Sequence, residues 1–252
     1  MGYSIVINYF LHIPKTGGTS LTDILDQQYP AGAVLPFQTW SSLIMAWPVD
    51  VSKIQLVRGH FGYGIRHLLR PHELRYMTML RNPVERVISF HHHLTIDHEN
   101  GRWVYPFPHT PLEAMLEERP ELLSNSQVKH LAMDVNVLAT EAYQTLLSPL
   151  NYNGFEIDLN AFTRRNDVGE NELSLAMNRL KEFYFVGLLE YYQSSVNRLC
   201  EVMGWPSVLV PHLNILPGRP LASQFSSKVI AKIEDLNALD FKLYDYAKKF
   251  CI

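Results

Sequence analysis

The sequence predicts an α/β domain with a mostly parallel central sheet. Two observations carry this. Short apolar runs, rich in β-branched and aromatic residues, recur at Ile5 to Leu11, Ile54 to Arg58, Tyr76 to Leu80 and Phe183 to Leu188, as buried strands do. Three of these runs lead through a short loop into a segment with apolar residues at helical spacing, the alternation that a parallel sheet needs. At 252 residues the chain suits one α/β domain. No linker, repeat or low-complexity tract divides it, so residues 1–252 read as a single domain.

Composition narrows the function classes. Hydrophobic residues make up 47% and charged residues 19%, which favours a packed core over disorder. A net charge of −3 argues against a nucleic-acid-binding surface and leaves room only for a local basic pocket. Cys200 and Cys251 are far apart and form neither a metal pattern nor a disulfide framework, which favours a reducing, cytoplasmic setting. No apolar run reaches transmembrane length, and Met1 to Ser4 lack the basic start of a signal peptide.

The first strand runs into His12-Ile13-Pro14-Lys15-Thr16-Gly17-Gly18-Thr19-Ser20, and Leu21, Ile24 and Leu25 then open a helix expected to reach about Gln28. Gly17 and Gly18 let the backbone approach a ligand closely. The helix start offers free N–H groups and the positive end of its dipole. Lys15 adds a point charge, and Thr16, Thr19 and Ser20 add hydroxyl donors. Every part favours a phosphate or sulfate. The loop departs from the Walker A pattern, because its lysine precedes the glycines. The plainer alternative is a βα turn with a capping hydroxyl.

The second strand ends at Gly59-His60-Phe61-Gly62, where open α/β sheets bind ligands. On residue types alone, His60 is equally a general base for a hydroxyl proton or a hydrogen-bonded turn residue. His67 is a weaker candidate. The third strand ends at Arg81-Asn82-Pro83, with Pro83 suited to the first position of a helix. Arg81, Glu85 and Ser89 follow at steps of four, so Arg81 and Ser89 can bracket one anion. His91, His92 and His93 invite a metal reading, but consecutive helical residues share no face and no closed ligand set forms.

On these residues the chain resembles a known family. His12 to Leu21 is similar to the 5′-phosphosulfate loop of sulfotransferases that use 3′-phosphoadenosine 5′-phosphosulfate (PAPS). It is closest to the carbohydrate-type group of heparan sulfate and uronyl 2-O-sulfotransferases. Gly59 to Tyr63 resembles the segment carrying that group's proposed base. The Arg-x-Pro-x-x-Arg-x-x-Ser pattern of Arg81, Pro83, Arg86 and Ser89 resembles its 3′-phosphate site. The animal relatives are membrane-anchored, so the chain resembles a soluble, bacterial-type member.

The resemblance implies a P-loop-NTPase-like three-layer sandwich. It implies that His60 and Lys15 are catalytic. It also implies that Lys15, Thr16, Gly17, Gly18, Thr19, Ser20, Arg81 and Ser89 hold PAPS. A family-like Asn-x-Gln segment makes Asn125 and Gln127 acceptor-site candidates. A Pro-rich loop like the one that closes over the nucleotide adds Asn214 and Arg219. The acceptor would be a hydroxyl, on a sugar or glycan. Lys129 and His130 either lend positive potential to the acceptor site or lie on a solvated helix face. The alternatives are a nucleotide kinase or NTPase, although the strands end in Arg58, Arg81 and Gly187 rather than a Walker B Asp, and a non-catalytic binding protein on the same fold.

Overall fold

The computed structural model describes residues 5–99, 110–134, 136, 168–210 and 218–251. Four strands, β1 (Val6–Leu11), β2 (Leu56–Gly59), β3 (Glu73–Leu80) and β4 (Phe185–Leu188), form one sheet in the order β2-β1-β3-β4, and every neighbouring pair is parallel. The described helices are α1 (Gly18–Asp26), α2 (Trp40–Ala46), α3 (Pro83–Glu99), α4 (Leu112–Glu118), α5 (Pro120–Leu123), α6 (Ser126–Ala132), α7 (Glu170–Glu182), α8 (Tyr192–Met203), α9 (Ser227–Leu236) and α10 (Ala238–Cys251). Among the described residues, no helix is long and apolar enough to cross a membrane.

Alternation along the strands builds the layers. Ile7, Tyr9 and Leu11 of β1 pack with Val186 and Leu188 of β4 beneath α2, α6, α7 and α10. Phe10, Met77, Met79 and Phe185 enter the opposite cluster with α1 and α8. A period of two in each strand therefore feeds two faces, giving the three-layer α/β sandwich the sequence predicts. A third cluster joins α3 to α4, α5 and α9 through Val87, Ile88, Leu116, Leu123, Val229 and Ile233.

Strand order sets the site. From β1 the chain moves to β2 on one side, and β3 then returns to pair with the other edge of β1 before β4 extends outward. The switch point lies between the carboxyl ends of β1 and β3, where open α/β sheets bind ligands.

The differences from the sequence reading have physical causes. β3 begins three residues before the apolar run, because Val6 to Asn8 pair with Glu73 to Arg75, whose side chains are not buried. Backbone pairing leaves no hydropathy signal there. Residues 33–52, with Pro36, Trp40, Trp47 and Pro48, read as irregular in sequence yet contain α2. The Thr39 hydroxyl accepts the Ser42 N–H at 3.4 Å, and Trp40 is fully buried edge-on to Phe61 with ring centroids 5.3 Å apart. A seven-residue helix is marginal by itself, so packing rather than periodicity makes it. The sequence also reads as a Gly-, Pro- and aromatic-rich loop over 100–111, a helix over 136–147 and an insertion over 151–171; most of each lies outside the described residues.

Helices α6 and α10 cap one another. Asp240 Oδ2 and Oδ1 accept the N–H groups of Gln127 (3.0 Å) and Val128 (2.8 Å) at the start of α6. In return, Asn125 Oδ1 accepts the N–H groups of Leu239 (3.1 Å) and Asp240 (3.2 Å) at the start of α10. Asp240 is fully buried; burial raises its pKa, and the buried Arg86 guanidinium and the two amide bonds oppose that rise. Removing that carboxylate strands two amides and one buried cation. Asp240→Ala should therefore cost about 3–5 kcal/mol in urea unfolding, whereas Asn125→Ala, a lost cap, should cost about 1 kcal/mol.

Candidate functional site

Pairing of Leu11 with Gly59 makes β1 and β2 end level, so His12 and His60 leave the sheet side by side. Their ring centroids are 4.3 Å apart. His60 Nδ1 lies 2.8 Å from the His12 carbonyl oxygen. A carbonyl only accepts, so Nδ1 carries the hydrogen and the neutral ring keeps its lone pair on Nε2. Burial lowers the His60 pKa, the bond to His12 opposes this, and the neighbours His93 and Lys15 lower it further. His60 therefore stands neutral at pH 7 with Nε2 as its basic atom.

The turn that presents His60 depends on a glycine. Gly59 has φ +151°, and a Cβ there would sit 2.4 Å from the Gln38 carbonyl oxygen, the group that accepts the His60 N–H at 2.7 Å. Gly18 is required by contact instead, since a Cβ on it would lie 2.0 Å from the His12 ring. His12 is buried, and that burial holds its pKa far down, with the nearby His60, His130 and Lys15 also disfavouring a proton there.

Lys15 and Gly17 take left-handed conformations, with φ +70° and +85°. Left-handed backbone at a lysine costs free energy and persists where its surroundings impose it. Here Arg81 Nη1 donates to the Lys15 carbonyl at 3.1 Å, and the Thr16 hydroxyl donates to the Ile13 carbonyl at 2.9 Å. The proton of Thr16 is thus committed to the shape of the loop. Thr19 is exposed and Ser20 buried. The N-cap of α1, Gly17, has no side chain to offer its leading amides, and the first turn holds no acid, a combination suited to an anion.

Arg81 crosses to this loop from the end of β3. Gln127 fixes its backbone from both sides: Oε1 accepts the Arg81 N–H and Nε2 donates to the Arg81 carbonyl, each at 2.9 Å. Burial, reinforced by the positive charge of Arg219, brings the Arg81 pKa down to about 10. Arg219 donates to Glu85 through Nη1 (2.9 Å) and Nη2, and Glu85 lies 3.6 Å from Arg81. Two arginines distant in sequence thus meet over one carboxylate on α3. Ser89, buried one turn farther along α3, follows on the same face.

The structure brings Lys15, Gly17, Gly18, His60 and Arg81 together around the switch point, with Arg219 joined to Arg81 through Glu85. It occupies other candidates elsewhere. Asn125 caps α10 and Gln127 clamps Arg81. Arg86 points into the core and donates to the Leu123 carbonyl at 3.0 Å. His67 Nε2 contacts Asp134 at 2.8 Å, in a cluster with Arg66 and Arg179. His91 contacts the Thr110 carbonyl at 2.8 Å.

Lys129 and His130 do not lie on a solvated face; both are buried. Lys129 donates to the Glu121 carbonyl and to the Ser124 hydroxyl, and burial drops the His130 pKa to about 3. Asn214 lies outside the described residues. Among the described residues, no group of three or more His, Cys, Asp or Glu is arranged to hold a metal. Sequence reasoning missed the His12 carbonyl as the partner of His60 and missed Glu190. Glu190 accepts the Asn82 N–H at 2.8 Å and the Tyr244 O–H at 2.7 Å, close enough to Arg81 to favour its charge. No local pattern marks either.

A sequence profile described as the sulfotransferase family matches residues 7–247. Among solved structures, the chain is similar to a sulfotransferase from Alicyclobacillus acidocaldarius at 17% identity, covering 91% of this chain and 95% of that one with a TM-score of 0.38. Comparison with curated protein sequences finds no match.

Gly59→Ala should cost about 2–4 kcal/mol in urea unfolding, since it meets both a left-handed torsion and a backbone oxygen. A loss within 0.5 kcal/mol would show that the 37–39 segment yields and does not hold His60 in place.

Proposed function

Because the chain belongs to the sulfotransferase family, we propose that its donor is PAPS and that His60 is the general base for an acceptor hydroxyl. A sugar or glycan hydroxyl is the acceptor that the resemblance to the 2-O-sulfotransferase group favours. The observation that carries this reading is the meeting, at one switch point, of the N-terminus of α1 with Lys15, a histidine with its Nδ1–H committed, and the half-buried Arg81.

The residues fit such a donor. Lys15, Gly17, Gly18 and the first amides of α1 suit its 5′-phosphosulfate end. Arg81, Arg219 and Ser89 suit a 3′-phosphate, the group that separates PAPS from ATP. PAPS supplies the sulfuryl group: sulfur bonds to the acceptor oxygen as its bond to the bridging phosphate oxygen breaks, and 3′,5′-adenosine bisphosphate (PAP) leaves. His60 Nε2 takes the hydroxyl proton, and the His12 carbonyl steadies the resulting imidazolium through Nδ1–H. Lys15 places positive charge where the leaving phosphate gains negative charge. Positioning and charge stabilisation do most of the catalysis, as in phosphoryl transfer.

Calorimetric titration with PAP, with ATP–Mg²⁺ as control, tests the donor. The expected result is PAP binding that weakens by about 10–100-fold in Arg81→Ala, the value of a lost charged hydrogen-bond pair. Binding of ATP–Mg²⁺ without PAP would overturn the reading.

His60→Ala should lower turnover by about two to four orders of magnitude with PAP affinity retained. Normal turnover would place the base elsewhere. The neutral imidazole is the reactive form and burial holds its pKa below 6.5. The acid limb of kcat/KM should therefore lie below pH 6.5, with activity constant as pH falls through that value. A limb at or above 6.5 would remove His60 from this role.

A further inference from the structure

Glu85 stands in an unexpected place for an acid, between the two guanidiniums suited to the donor's 3′-phosphate. Its Oε2 accepts from both Nη1 and Nη2 of Arg219, which lies 134 positions away in sequence, and is 3.6 Å from Nη2 of Arg81. The arginine side chains are each 13% exposed and that of Glu85 is 31% exposed. Like charges this close and this dry repel one another, and the carboxylate between them offsets that repulsion. The second acid near Arg81, Glu190, is committed elsewhere, with one oxygen on the Asn82 N–H and the other on the Tyr244 O–H.

We infer that Glu85 is the resident counter-ion of the nucleotide-phosphate site, holding Arg81 and Arg219 together in the free protein and yielding them to the ligand's phosphate. The inference rests on the PAPS reading. Carboxylate and phosphate fit the same guanidinium fork, so the two anions compete for the same donors. When phosphate takes the arginines, Glu85 stays on α3 beside it as a like charge. That repulsion is present for donor and product alike. It weakens the hold on PAP and speeds its release, and so keeps the site from being trapped by its own product. Glu85 is thus a positioning residue that sets nucleotide affinity and residence time.

The test is PAP affinity by calorimetry and PAP dissociation rate by stopped flow, on wild type, Glu85→Gln, Glu85→Ala and Arg219→Ala. Glu85→Gln keeps the shape and an acceptor oxygen but removes the charge. It should bind PAP at least tenfold more tightly and release it correspondingly more slowly, with the gain shrinking as salt is raised. Glu85→Ala should shift affinity in the same direction, and Arg219→Ala should weaken it. A merely structural Glu85 gives the opposite sign, because loosened arginines bind PAP less well. PAP affinity unchanged or weaker in both Glu85 variants, against a wild type that binds PAP, overturns this inference alone. A wild type that does not bind PAP overturns the donor reading, and this inference with it.

Discussion

The parallel pairing of β1 with both β2 and β3 is the constraint on which the site depends. Leu11 is level with Gly59 on one side and with Thr78 on the other. From the first pairing follows the contact of His12 with His60. From the second follows an Arg81 three residues beyond Thr78, in reach of the Lys15 carbonyl. A one-residue slip of either pairing would reverse the faces of that strand and separate these groups. Register is well defended, because both faces of β1 are buried: Ile7, Tyr9 and Leu11 in one cluster, Phe10 in the other.

Helix α6 acts as a strut for this geometry. At its start Gln127 clamps the Arg81 backbone, while Asn125 and Asp240 tie the same turn to α10. The residues around the switch point are thereby joined to a fully buried carboxylate in the core. Such a chain of satisfied polar groups is costly to break at any member, because each broken bond leaves a buried partner unpaired. Arg81 is consequently held in place before any ligand arrives, and preorganised charges act without first paying to rearrange.

Charge in the site is also arranged by burial. His12, His60 and His130 are each pushed towards the neutral form, chiefly by burial. Lys15 and Arg81 thus stand beside a histidine held in its neutral form. The separation of roles is electrostatic: the groups that titrate near neutrality are kept uncharged, and those that do not carry the charge.

Much of this was legible in the chain. Apolar runs, glycines and helical spacing determined the strands, the β1–α1 loop and the entry to α3, since each depends on a few adjacent residues. Lys15, His60 and Arg81 stood out for the same reason: each follows a strand, and the end of a strand is where a parallel sheet presents side chains. Asn125 and Gln127 look like ligand groups in one dimension, but their partners, Leu239, Asp240 and the Arg81 backbone, lie 46 to 115 residues away. Lys129 and His130 look solvated until α6 is seen to be enclosed. Only the tertiary structure decided which nitrogen of His60 is basic, which acid lies between Arg81 and Arg219, and which distant groups Asn125 and Gln127 hold. Those outcomes depend on long-range hydrogen bonds and on burial, and neither is a property of a short stretch of chain.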